Sequence, residues 1–263
     1  MSGGLAVCIK KDIKEVLRTG KLILIAGLLF GIGFMVLVFT VIFSNIPKEL
    51  WSLLEGFDIE ALEKMMEQFY PKIVSESLEL FSYNVGAFFT LILVIMMQGQ
   101  LPGERDAGTW ILPRQHGITP MDLIESKCIV YGGISGVSVT MGYLVYYLLA
   151  MTFMERNMTF VNALVCALVH GFNILFIVTY MLFLSMLLKK PIAGAISVVA
   201  VVLLMPDIGR FFPFGIYLPT NLLTFVYDSS SNYRELPVPF VLNVFILLVM
   251  WIMLRHKYME KRD

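Results

Sequence analysis

Apolar residues in this chain gather into long unbroken runs, separated by short polar stretches. Six runs occupy about residues 22–44, 80–98, 128–151, 161–188, 191–206 and 237–254. A helix needs about 20 apolar residues to cross the roughly 30 Å hydrocarbon layer of a bilayer. Open strands cannot cross it, because their unpaired backbone groups find no partner in lipid. The pattern predicts an all-α polytopic membrane protein: one bundle of six transmembrane helices forming a single domain over 1–263. The fifth run is short and ends at Pro206, and the fourth is long enough to tilt.

Residues 5–20, before the first run, read differently. Lys10, Lys11, Asp12, Lys14, Glu15, Arg18 and Lys21 alternate with Val7, Ile9, Ile13, Val16 and Leu17. That pattern predicts a short basic amphipathic helix suited to the headgroup plane of a membrane. The polar stretch and the length of the first run argue against a cleavable signal peptide.

Composition narrows the function classes. Of 263 residues, 58% are hydrophobic and 15% charged, against about 25% charged in ordinary soluble domains. That excludes a disordered chain, a nucleic-acid-binding domain and nearly any water-soluble enzyme. The net charge is zero, so only its distribution informs. Six spans place both termini on one side. With that side cytoplasmic, fourteen of the twenty Lys and Arg fall inside, in the N-terminal segment, the 99–127 loop, the 189–190 turn and the C-terminus. Lys48, Lys64, Lys72, Arg156, Arg210 and Arg234 fall outside. The asymmetry predicts cytoplasmic N- and C-termini, in what reads as a bacterial cytoplasmic membrane. Cys8, Cys128 and Cys166 lie away from the exterior loops and imply no structural disulfide, and no metal-ligand spacing is present.

Three loops carry most of the polarity. In the exterior loop 45–79, Pro47 to Leu54 reads as one helix and Asp58 as the cap of a second, with Ile59, Leu62, Met65, Met66 and Phe69 on its apolar face and Glu60, Glu63, Lys64 and Glu67 on the other. The segment 207–236, rich in Pro and aromatics, is expected to lie along the outer interface. The loop 99–127 is the most informative. Thr119, Pro120 and Asp122 predict a helix start with a variant capping box, and Glu104 to Ile111 predicts a short helix along the membrane face. Together they form a polar and aromatic knob suited to binding a soluble partner.

That knob resembles the permeases of the type-2 ABC exporter family. Glu104-Arg105, Gly108-Thr109, seven intervening residues, Gly117-Ile118-Thr119 and Lys127 keep the family's spacing, with Gly117, Pro120 and Ser126 as departures. The resemblance extends over the basic elbow helix, six spans and the polar outer segment. It implies a transmembrane subunit moving substrate by alternating access, with Glu104, Arg105, Gly108, Thr109 and Trp110 in the segment that couples to an ATPase. The chain has no GxxxxGK[ST] loop, so the resemblance implies no cofactor on this chain, with ATP and Mg on a separate ATPase subunit. It also implies a second permease copy or a related permease as partner.

Within the spans, Asn84, His170, Asn173 and Asn243 are the candidates for a substrate path, set against ordinary hydrogen bonding between helices. His170 and Asn173 share a helical face. Gly27 and Gly31 in the first run, and Gly132 and Gly136 in the third, form GxxxG pairs suited to close helix packing. Two other functions compete. Gly133-Ile134-Ser135-Gly136 resembles the GxSG of rhomboid proteases, with His170 as a candidate base. An ATP-independent secondary transporter or channel would show an inverted repeat and central charges, and neither is evident. The 17 Met residues lack the clustering of a copper site.

Overall fold

The computed structural model describes residues 3–44, 73–188, 191–209, 211, 222 and 236–259. The helices expected within 45–72 and most of the segment 207–236 lie outside these described residues. Among the described residues there is no strand. Helix α1 spans Gly3–Arg18 and α2 Lys21–Ser44; α3 (Val74–Asn84) continues through a π-turn, Val85–Phe89, into α4 (Thr90–Met97). Two short helices follow, α5 (Pro102–Asp106) and α6 (Ile111–Gln115). Then α7 (Pro120–Lys127) runs through a second π-turn, Cys128–Gly132, into α8 (Gly133–Phe153). Helices α9 (Phe160–Leu188), α10 (Pro191–Gly209) and α11 (Pro237–Met259) complete the bundle.

Among the described residues, five stretches are long and apolar enough to cross a membrane: Lys21–Val41, Val74–Asp106, Pro120–Phe153, Phe160–Leu188 and Pro237–Tyr258. They correspond to five of the six expected runs. The expected fifth run, 191–206, lies within the 19-residue helix α10, whose stretch Ile192–Val202 is apolar. The observed second and third helices begin earlier than the hydropathy predicts, because polar turns at Val74–Ser77 and Pro120–Lys127 stay helical. The capping box at Thr119 explains the latter. Thr119 Oγ1 accepts from the Asp122 amide at 3.1 Å, and the Thr119 amide donates to Asp122 Oδ2 at 2.9 Å, satisfying two donors that a helix start leaves open.

Helix α9 is the axis of the bundle. It packs against α4, α7, α8, α10 and α11, and its buried residues run from Ala163 to Met186. The tightest crossing is with α8. A Cβ on Gly171 would lie 2.7 Å from the Gly136 carbonyl oxygen, and one on Gly136 would lie 2.7 Å from that of Gly171. Thr140 Oγ1 stitches the crossing by reaching the Gly136 and Ala167 carbonyls at 3.0 and 3.3 Å. Gly132 sits one turn away, against Leu175 and Thr179. Small residues let two backbones approach where lipid offers no hydrophobic incentive. Gly27 and Gly31 face open space instead, so that pair makes no close crossing with the described residues.

At the end of the bundle away from residues 99–127, Ser77 and Tyr146 share a 2.6 Å hydrogen bond. Tyr146 also stacks on Phe81 at 4.5 Å. The Val74 amide bonds the Glu155 carbonyl at 3.1 Å and the Ser75 amide bonds Asn157 Oδ1 at 3.0 Å, tying α3 to the α8–α9 turn.

The glycine geometry makes an asymmetric prediction. Gly171→Ala places its Cβ against carbonyl backbone that cannot rotate away, and should destabilise the detergent-solubilised chain by about 1–3 kcal/mol. Gly27→Ala and Gly31→Ala meet nothing and should be neutral or slightly stabilising. Thermal unfolding of the three variants measures the difference; equal melting temperatures would contradict the crossing.

Candidate functional site

Helix α1 and the 99–127 segment meet at one end of the bundle. Cys8, Asp12 and Val16, four residues apart, form the buried stripe of α1, which packs on α7. The fit is close: a Cβ on Gly4 would lie 3.1 Å from Asp122 Oδ2. Gly20, at φ +68, turns the chain from α1 into α2. An acid on a buried stripe requires a partner, since an unpaired buried charge is strongly unfavourable.

That partner is Lys127, the last residue of α7. Its ammonium is buried and lies 3.0 Å from Glu104 Oε1, 3.4 Å from Asp12 Oδ1 and 3.7 Å from Glu15 Oε2. Ser126 Oγ donates to Asp12 Oδ2. The Tyr131 hydroxyl lies 3.0 Å from Glu15 Oε1 and 2.9 Å from Gln100 Oε1. Lys21 Nζ reaches Glu15 Oε1 at 3.1 Å, Gln100 Oε1 at 3.0 Å and the Tyr131 oxygen at 3.1 Å. Lys11 adds a contact to Glu104 at 3.5 Å. The ammonium groups of Lys21 and Lys127 stand 5.1 and 5.2 Å from the Tyr131 ring centroid, within cation–π range.

Three cations, Lys11, Lys21 and Lys127, thus meet three anions, Asp12, Glu15 and Glu104. They come from α1, the start of α2, α5 and the end of α7, so the junction locks four elements and pairs Asp12 with Lys127 across 115 positions. The charges balance, which makes this a structural joint rather than an ion-binding pocket. Burial alone would raise the Glu15 carboxyl, but the Lys127 ammonium and the hydrogen bonds from Lys21 and Tyr131 hold it below its ordinary value. Burial, reinforced by Asp12 and Asp122, pushes the Cys8 thiol up, so it stays protonated and unreactive.

The 99–127 segment divides where one short helix was expected over Glu104–Ile111. Gly108 adopts φ +72, a conformation that favours glycine, and breaks the run into α5 and α6. Thr109 closes the turn, its amide and Oγ1 both donating to the Glu104 carbonyl, at 3.1 and 2.8 Å. The five expected coupling residues therefore separate. Glu104 turns inward to Lys127. Arg105 forks onto Asp106 Oδ1 at 2.9 and 2.8 Å. Trp110 is 6% exposed and packs into the core. Thr109 is exposed at the turn, and beyond it Ile111 and Leu112 are 60% and 68% exposed, with Arg114 beside them in the same helix.

A second brace comes from α11. Trp251 Nε1 donates to Glu125 Oε1 at 2.7 Å, with the Arg255 guanidinium 5.2 Å from its ring. Lys257 Nζ donates to the Leu187 and Met186 carbonyls at 2.7 and 3.1 Å. A cation there satisfies open carbonyls at the C-terminus of α9 and opposes its dipole.

Of the four residues expected along a substrate path, Asn84 and Asn243 each bond a carbonyl of their own helix. Asn84 Nδ2 bonds the Leu80 carbonyl of its own helix at 2.7 Å. Asn243 bonds the Pro239 carbonyl at 2.8 Å and accepts from the Tyr180 hydroxyl at 2.7 Å. His170 and Asn173 are buried on α9, His170 against the edge of the Tyr143 ring at 6.2 Å. An apolar cleft of about 340 Å³ between α9 and α11, lined by Val165, Leu168, Phe172, Leu236 and Phe240 among others, includes none of the four. Ser135 Oγ and both His170 ring nitrogens are buried without hydrogen-bond partners, so they do not form the bonded pair that nucleophilic catalysis needs. Among the described residues no group of three or more His, Cys, Asp or Glu is placed to hold a metal.

Sequence reasoning singled out Lys127 by spacing but missed Asp12, Glu15, Gln100, Ser126 and Tyr131. The available signal was Asp12 itself, set between Cys8 and Val16 on an otherwise apolar stripe. Comparison with known proteins finds no matching family model and no matching curated sequence.

Removing one charge tests the joint. Lys127→Met leaves Asp12, Glu15 and Glu104 with only the more exposed Lys11 and Lys21 beside them and should cost about 3–5 kcal/mol. Hydrogen exchange of the α1 amides should then speed up by two to three orders of magnitude, and Asp12→Asn in the same chain should recover part of the protection. Unchanged exchange would mean that the ion pairs do not hold α1. The Glu15 carboxyl adds a pH signature. Its folded-state value is depressed, so its contribution is complete above about pH 4.3 and disappears as pH falls through the lower folded value. Melting temperature in acid should drop less steeply in Glu15→Gln than in the wild type.

Proposed function

We propose that the chain is the transmembrane subunit of an ATP-binding cassette exporter, driven by a separate ATPase and working with a second permease copy or a related permease. The observation that carries this reading is the joint around Lys127. It fuses α1, the start of α2, α5 and α7 into one body, and leaves α6 projecting with Ile111 and Leu112 exposed. A force receiver needs both properties. Apolar side chains in a polar setting give a partner something to grip, and a rigid mounting carries the displacement into the helices.

In this reading the loop end is cytoplasmic. The N-terminal helix, the 99–127 segment, the C-terminus of α9 and the end of α11 are joined there by Lys127, Trp251 and Lys257. These are the places where most basic residues sit, which supports inward termini. Helix α10 is the fifth of six spans; its 19 residues reach about 28 Å at 1.5 Å per residue. Helix α1 lies along the membrane surface. Transport proceeds by alternating access, as the ATPases close and displace the knobs of two permeases. The unpaired Ser135 and His170 give no support to an intramembrane protease.

Affinity purification of the tagged chain from its native membranes should recover an ATPase that carries a phosphate-binding loop. Leu112→Asp and Ile111→Asp should each lose that subunit while keeping the wild-type melting temperature. Recovery of the same ATPase at wild-type yield by both variants would show that α6 is not the contact. Purification without any ATPase would reject the reading.

A further inference from the structure

Helix α1 carries its charges on two faces, and the fold treats them oppositely. Asp12 and Glu15 point into the joint with Lys127. Lys10, Lys14 and Arg18 are exposed and follow one another at four-residue spacing, so they stand in a single row about 6 Å apart along the helix. Glu15, three residues before Arg18, is engaged by Lys127 and Lys21. Beside it runs a second exposed row, Ile13 and Leu17, 42% and 59% accessible. Exposed Ile23 and Leu24 continue the apolar surface just beyond Gly20.

An apolar row next to a row of three cations matches the boundary of a lipid leaflet, where acyl chains meet headgroups. An acidic protein surface would match the cations but leave Ile13 and Leu17 in water. We infer that the exposed face of α1 is a binding site for anionic phospholipid, with the headgroup phosphates on Lys10, Lys14 and Arg18 and the first methylenes on Ile13 and Leu17. This rests on the reading of α1 as lying on the membrane surface.

The site is linked to the rest of the fold by the same helix. Lipid phosphates on the outer row hold α1 down on the leaflet, while Asp12 and Glu15 on the inner row hold it to Lys127 and hence to α5 and α7. The anionic leaflet then serves as the fixed support against which the knob is mounted.

Each cation near an anionic surface is worth roughly a fivefold gain in association, so three should give a preference on the order of a hundredfold at low salt. The full chain in nanodiscs, with Leu17→Cys carrying a bimane fluorophore, reads this directly; Cys8, Cys128 and Cys166 are buried and leave residue 17 as the accessible thiol. Headgroup-region spin-labelled phosphatidylglycerol and spin-labelled phosphatidylcholine are compared as quenchers. Phosphatidylglycerol should quench at far lower mole fraction, and high salt should reduce the difference. Replacing the row, as Lys10→Gln, Lys14→Gln and Arg18→Gln together, should remove it while leaving helix content and melting temperature unchanged. Equal quenching by the two lipids, or a preference that survives the triple replacement, would overturn the anionic site yet keep α1 at the membrane. No quenching by either lipid would overturn the surface placement as well.

Discussion

A lysine ammonium taken out of water stays charged only where carboxylates replace its hydration. Lys127 has three of them within 4 Å, and each arrives on a different part of the chain or a different turn of it. Asp12 and Glu15 come from successive turns of α1 and Glu104 comes from α5. Asp12, the fully buried acid of the three, would have no reason to be buried without the lysine, and the lysine could not be buried without carboxylates around it. The position of α1, the path of the 99–118 segment and the base of the third apolar stretch are therefore one decision taken at one point. The Tyr131 ring, between two ammonium groups, extends that point by one turn into the bundle.

Much of the architecture was readable from hydropathy. Long apolar runs have few alternatives in lipid, so five observed stretches fall where the runs predict them. The run 191–206 is the short one, 16 residues ending at Pro206 against about 20 for a span, and it lies within α10. The capping residues Thr119, Pro120 and Asp122 were equally legible, because their chemistry is local. Gly108 shows the opposite case. Its sequence neighbours permit a continuous helix, and the positive φ that splits α5 from α6 comes with Glu104 turned to Lys127 and the Trp110 ring packed in the core.

The joint itself was only half legible. Spacing can mark a lysine at the head of a span, and helical periodicity can mark Asp12 as misplaced on an apolar stripe. That the two meet is a contact across 115 positions, and no local pattern encodes it. The same limit applies at Trp110, expected among the coupling residues: its ring is absorbed by the core, and the adjacent Ile111 and Leu112 are left outside.

The two kinds of contact in this bundle suit different tasks. At the α8–α9 crossing, carbonyl backbone and glycine meet so closely that one methyl cannot be added; such a contact holds two helices in one arrangement and resists sliding. At the loop end the contacts are ionic and hydrogen-bonded, made by Lys127, Lys21, Glu15 and Lys257. Separating Lys127 from its carboxylates would strand a buried ion, so that end resists coming apart as the seam resists sliding. The bundle is therefore fixed at two places by different physics, close backbone fit in the middle and charge at the end.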